Sequence, residues 1–146
     1  SAKGLAFALG IPLVGVRTLV ALAAAAGVAD GLVCPILDAR KAEVYAALVE
    51  FRAGRGEVAQ HEVAVALERW LEVVGDRACT FLGDGVPLLA SRRRPTWTLL
   101  SPAERGPSGS QVARLGEERL AAGEADSAAD LEPFYCRPSE AELRHR

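Results

Sequence analysis

The sequence predicts an α/β domain built on a five-stranded mixed sheet. Two apolar, β-branched runs, Leu32 to Leu37 and Val44 to Phe51, have the form of an antiparallel hairpin, with a third candidate strand at Val58 to Val63. Helical and strand patterns then alternate down to about Ala122, as in layered α/β packing. The second run is apolar on both faces: Val44, Ala46 and Leu48 point one way, and Tyr45, Ala47, Val49 and Phe51 the other. Such a strand belongs in the middle of a sheet with helices over both faces.

Size and composition fit that class. Half of the 146 residues are apolar and a quarter are charged, enough for one ordinary domain with a real core. A formal net charge of -2 provides no global field for a phosphate backbone, so strong independent nucleic-acid binding is not expected and any RNA role would be indirect or local to a patch. The longest apolar stretches, Leu19 to Val28 and Leu32 to Leu37, are too short to cross a bilayer. No basic segment followed by an apolar one opens the chain. Cys34, Cys79 and Cys136 are far apart, odd in number and not at metal-ligand spacing, which predicts reduced, mostly buried thiols. These features describe a cytoplasmic protein with no membrane partner.

Taken in order, the chain opens inside a helix, with Ala2, Leu5, Ala6 and Leu9 on one apolar face and no obvious N-cap. Gly10, Ile11 and Pro12 form a stop signal. A helix that starts uncapped reads as the later part of a longer protein. Leu13 to Val16 reads as a short buried strand, and Thr18 as the cap of a helix from Leu19 to Ala26 closed by Gly27. The hairpin follows, with Asp38 to Glu43 as its connector and Arg52 to Gly56 as the next turn. A helix is expected from about Ala64 to Val74, with Leu67, Trp70, Leu71 and Val74 inward and Glu68, Arg69 and Glu72 outward. Cys79 to Leu82 reads as a strand running into Gly83, Asp84 and Gly85, followed by a short helix at Val86 to Ala90 and a last strand at Thr96 to Leu99. Ser108 and Gln111 have capping-box spacing for a helix that Gly123 ends, and the tail after Ser127 reads as irregular.

The order β-β-β-α-β-α-β-α matches a ribonuclease-H-like core. The helix-strand-helix before it is what the end of a first copy of that unit would leave, which is the actin-like ATPase architecture. On this reading residues 1–29 are the remnant of a first domain, 30–126 a complete second domain, and 127–146 a C-terminal tail.

The runs SAKGLAFALGIPLVGVRTL and PILDARKAEVYAAL, in that order and spacing, resemble the middle of the TsaB (YeaZ) family. LEPFYCR resembles the closing motif of that family, with Cys136 in place of a Leu. The resemblance covers essentially the whole chain and implies a scaffold, not an enzyme. Its partner would be TsaD, with TsaE in the same complex, in forming threonylcarbamoyladenosine beside the tRNA anticodon. It implies that the first helix pairs with TsaD or, when alone, with a second copy, so that Ser1, Ala2, Lys3, Ala6 and Phe7 are interface residues. It implies no firmly bound cofactor, with ATP or ADP at most at the partner interface.

The residues themselves offer a second set of candidates. Asp38 and Arg40 end a strand where an actin-like fold brings phosphate or magnesium, although Asp38 in a turn also accepts backbone hydrogen bonds and pairs with Arg40. Gly83, Asp84 and Gly85 lie between strand and helix, where backbone N–H groups can face a nucleotide or simply make a turn. Arg92, Arg93 and Arg94 near Trp97, and the basic end Arg144 to Arg146, read as solvated surface. His61 and His145 are too far apart in sequence for a recognisable metal motif, and no G-x-S-x-G elbow is present. The alternative class is an actin-like small-molecule kinase or ATPase, or a glycoprotease-like enzyme.

Overall fold

The computed structural model describes residues 1–101 and 108–137. Its elements are α1 (Ala2–Leu9), α2 (Thr18–Ala24), β1 (Gly31–Arg40), β2 (Glu43–Arg52), β3 (Arg55–Ala66), α3 (Leu67–Val74), β4 (Cys79–Leu82), a 3₁₀ helix (Val86–Arg92), β5 (Trp97–Leu99) and α4 (Gly109–Ala121).

The five strands form one sheet in the order β3-β2-β1-β4-β5. β1, β2 and β3 pair antiparallel, and β4 and β5 continue parallel to β1. A leading meander extended on its far side by parallel strands is the ribonuclease-H-like arrangement, and the expected mixed sheet is present.

The two faces of β2 divide as its alternation requires. Val44, Ala46 and Leu48 join Cys34, Ile36, Phe81 and Leu89 in one core, closed by Leu67, Trp70, Leu71 and Val74 of α3. Ala47, Val49 and Phe51 join Val33 and Leu82 in the other core, closed by Leu19, Leu22 and Ala23 of α2 and by Ala26 just after it. Residues 18–26, placed in the first segment on sequence grounds, thus complete a core of the sheet itself. In the first core the Trp70 indole N–H donates to the Cys34 sulfur at 3.2 Å, so its polar atom is satisfied in a dry interior. Burial is the main cause that raises the Cys34 thiol well above its ordinary pKa. All three cysteines are free thiols.

Several local expectations change. Leu13 to Val16 is not a strand; it contributes a single antiparallel bridge, Leu13 to Asp126, because the chain there meets a loop and not a sheet edge. Thr18 is the first residue of α2 and Arg17 holds the cap position, without a side-chain cap. β3 extends to Arg55 and Ala66 on either side of the expected Val58 to Val63, and α3 starts at Leu67, three residues later than expected. Pairing with the whole of β2 overrides the local polarity of that edge strand. The expected helix at Val86 to Ala90 is a 3₁₀ helix reaching Arg92. Only half of the capping box forms: Ser108 Oγ accepts from the Gln111 N–H, while Gln111 Oε1 accepts from Arg114.

Candidate functional site

The two sets of candidate residues lie in different places. Asp38, Arg40, Gly83, Asp84 and Gly85 come together where the parallel strands β1 and β4 end, the position at which open α/β sheets hold ligands. Their polar groups are engaged with one another. Asp84 Oδ1 accepts the Asp38 N–H at 2.9 Å, and Asp38 Oδ1 accepts the Arg40 N–H at 2.7 Å. Asp38 Oδ2 pairs with the Arg40 guanidinium at 3.5 Å. Arg40, Lys41 and Ala42 adopt φ of 66°, 53° and 60°, a left-handed turn of three non-glycine residues. The hydrogen bond from Arg40 to Asp38, and that from the Leu67 N–H to the Ala42 carbonyl at 3.0 Å, hold the turn in that conformation. Gly85 donates its N–H to the Ile36 carbonyl at 3.1 Å, turned toward β1. Each of these contacts is made within the protein's own turns.

The first helix has the opposite character. Gly10 ends α1 in a left-handed conformation, with the Gly10 N–H donating to the Phe7 carbonyl and the Ile11 N–H to the Ala6 carbonyl, the double bond that closes a helix before an apolar residue. Ser1 occupies the N-cap position with no side-chain cap, as the uncapped start implied. Of the helix only Ala6 is buried. Leu5, Phe7, Leu9 and the following Ile11 are 62%, 88%, 66% and 53% exposed, an apolar surface on one short element. Ser1 and Ala2 are exposed as well. Lys3 lies on the Phe7 side of the helix, and its ammonium donates to the Ala129 and Leu131 carbonyls at 3.0 and 3.1 Å.

Beside α1 lies an open groove of about 1110 Å³ whose polar lining includes Lys3, Arg17, Glu62, Arg119 and Asp126. None of these except Lys3 stood out in the sequence. Asp126 accepts the Gly15 N–H at 2.7 Å, and that bond, followed by the Arg119 guanidinium, holds its carboxyl below the usual carboxylate range. The folded-state pKa is depressed. The contact therefore contributes stability above the unfolded carboxylate pKa and loses it as pH falls through the lower folded value. The Gly15 amide proton should keep one NMR shift at neutral pH and move only in acid, and Asp126→Asn should remove that step. Glu62, on β3, is buried, with Oε2 3.5 Å from Arg17 and Oε1 without a hydrogen-bond partner among the described residues. The Arg17 guanidinium lies 3.7 Å from the ring centroid of Phe134. His61 is exposed on β3, and no group of three or more His, Cys, Asp or Glu that could hold a metal occurs among the described residues. His145 and Arg144 to Arg146 lie outside the described residues. No helix among them is long and apolar enough to cross a membrane.

The profile of the family described as "TsaD: tRNA N6-adenosine threonylcarbamoyltransferase" matches residues 1–144. A Bacillus subtilis protein named tRNA threonylcarbamoyladenosine biosynthesis protein TsaB is 35% identical over 149 aligned positions, covering 98% of this chain and 63% of that protein. The chain belongs to the TsaD family, in its TsaB/YeaZ group. Among solved structures, YeaZ from Pseudomonas aeruginosa matches with a TM-score of 0.76 and 29% identity, over 92% of this chain and 64% of that one. A second, titled an uncharacterized protein with similarity to peptidase YEAZ from Pseudomonas aeruginosa, matches with a TM-score of 0.74 and 29% identity, over 92% and 63%. The chain thus spans just under two thirds of the length of the TsaB/YeaZ proteins it matches, and the resemblance read from SAKGLA, LDARKAEVYAA and LEPFYCR holds along nearly all of it.

Proposed function

We propose that this chain is a non-catalytic docking component in the formation of threonylcarbamoyladenosine on tRNA, and that α1 is the surface through which it meets a TsaD protein. One observation carries the reading: an eight-residue helix presents Leu5, Phe7 and Leu9 to solvent while burying only Ala6. Apolar surface of this kind marks association sites, and the small residues Gly4 and Ala8 let a second helix approach closely. The B. subtilis relative, named for threonylcarbamoyladenosine biosynthesis, supports the pathway. The engagement of Asp38, Arg40 and Asp84 in their own turn supports a structural role for the strand ends. TsaE would join through TsaD, tRNA contact would be indirect, and ATP or ADP would bind only at an interface completed by the partner. Alone, the chain would self-associate through the same helix. The whole would work in the cytoplasm, where tRNA is modified.

The test is co-purification of this chain with the TsaD of the same organism, followed by size-exclusion chromatography with mass determination. A stable complex is expected, and Phe7→Glu should weaken it at least tenfold by placing a charge in the apolar contact. Failure of the unmodified chain to associate would move the actin-like kinase reading ahead, and indifference of the complex to Phe7→Glu would overturn α1 as the contact surface.

A further inference from the structure

The position of α1 is not explained by its packing. Among the described residues, α1 buries one alanine, and no other helix or strand makes more than a marginal contact with it. Two hydrogen bonds, from Lys3 to the Ala129 and Leu131 carbonyls, join it to the C-terminal segment.

That segment is itself fastened along its length. Asp126 and Leu13 form an antiparallel bridge, with the Asp126 N–H donating to the Leu13 carbonyl at 2.8 Å, and the Asp126 carboxylate takes the Gly15 N–H. Arg119 of α4 reaches the Gly15 carbonyl at 2.7 Å and the Asp126 carboxylate at 3.4 Å, so helix, loop and tail are cross-linked at one point. The Leu131 N–H returns to the Ser127 carbonyl at 2.8 Å, which shapes the turn whose carbonyls receive Lys3. Further on, Phe134 lies under Arg17, and Arg137 pairs with Glu43 at the start of β2 at 2.9 Å. The segment therefore runs from α1 across the 13–17 loop to the sheet.

We infer that residues 126–137 form a clasp that ties α1 to the 13–17 loop and the sheet and steadies its orientation. Lys3 acts here as a positioning residue: it touches the tail and sets the helix, with Phe7 exposed on its own side and Leu5 and Leu9 exposed on the other. The clasp is polar and exposed, so it opens at lower cost than the sheet. The consequence for TsaD rests on the docking reading above, whereas the clasp itself does not.

Hydrogen exchange separates the two. In the isolated chain, Asp126→Ala should speed exchange of the amides from Ala6 to Ile11 at least tenfold while β1 and β2 amides keep their rates. Lys3→Met should do the same, and Lys3→Arg, which can still donate to both carbonyls, should largely restore protection. Because either change opens the same clasp, the double variant should exchange no faster in α1 than the single ones. Unchanged exchange in α1 for both single variants overturns the clasp. Faster exchange in β1 and β2 as well overturns it too, since the contact would then be part of global stability. Faster α1 exchange confined to that helix, with TsaD association unaltered, upholds the clasp and overturns the docking reading.

Discussion

Trp70→Ala is expected to lower the unfolding free energy by about 3 to 5 kcal/mol, the usual cost of removing a buried aromatic side chain. Trp70 is almost fully buried on α3, packed against the sheet with Cys34, Phe81 and Leu89 in the same cluster, and its indole N–H is spent on the Cys34 sulfur. A domain of this size has about 5 to 15 kcal/mol in total, so the variant should stand near its folding limit. Urea denaturation reads this as a fall in midpoint with an unchanged slope. Trp70→Phe keeps most of the volume and removes the hydrogen bond, and should cost clearly less. A loss under about 1 kcal/mol for Trp70→Ala, well below the range for core aromatics, would mean that α3 does not close that face of the sheet.

Gly83→Ala is expected to be comparably harmful, for a different reason. A Cβ there would sit 2.3 Å from the Ile36 carbonyl oxygen and 3.1 Å from Leu22 Cδ2, at a backbone φ of +114°. The Ile36 carbonyl cannot easily move away, because it also accepts the Gly85 N–H. Backbone strain of about 1 to 3 kcal/mol and overpacking of about 1 to 3 kcal/mol add to a loss on the order of 2 to 6 kcal/mol. Thermal unfolding should show it directly. A Gly83→Ala variant with unchanged melting temperature but weakened ADP binding in a TsaD complex would reverse the assignment and make the Gly83 to Gly85 turn a ligand contact.

The contrast between these two sites shows what could be read in advance. Trp70, the two faces of β2 and the strand at Cys79 to Leu82 were legible because each rests on a period of apolar residues within one element. The helix end at Gly10 was legible for the same local reason. The full length of β3 was not, since RGEVAQH is polar and becomes strand only by pairing with β2 along an edge. Nor was the exposure of α1, whose apolar residues read equally as a buried face. The grouping of Asp38 with Asp84 follows from β1 and β4 being neighbours, which no spacing in the chain reports. Arg119, Asp126 and Glu62 gave no signal at all: single charged residues in polar surroundings, they acquire meaning only when segments over 40 residues apart are brought together.

The contact between Lys3 and Ala129 also sets an order of events during synthesis. Ala129 lies 126 residues after Lys3, so translation at about 5 to 20 residues per second separates their appearance by roughly 6 to 25 s. Until Ala129 and Leu131 have left the ribosome, the segment that steadies α1 does not exist outside it. The sheet needs no residue beyond Leu99 and can form earlier. A nascent chain would therefore carry a folded sheet with an unsettled α1 until that segment emerges.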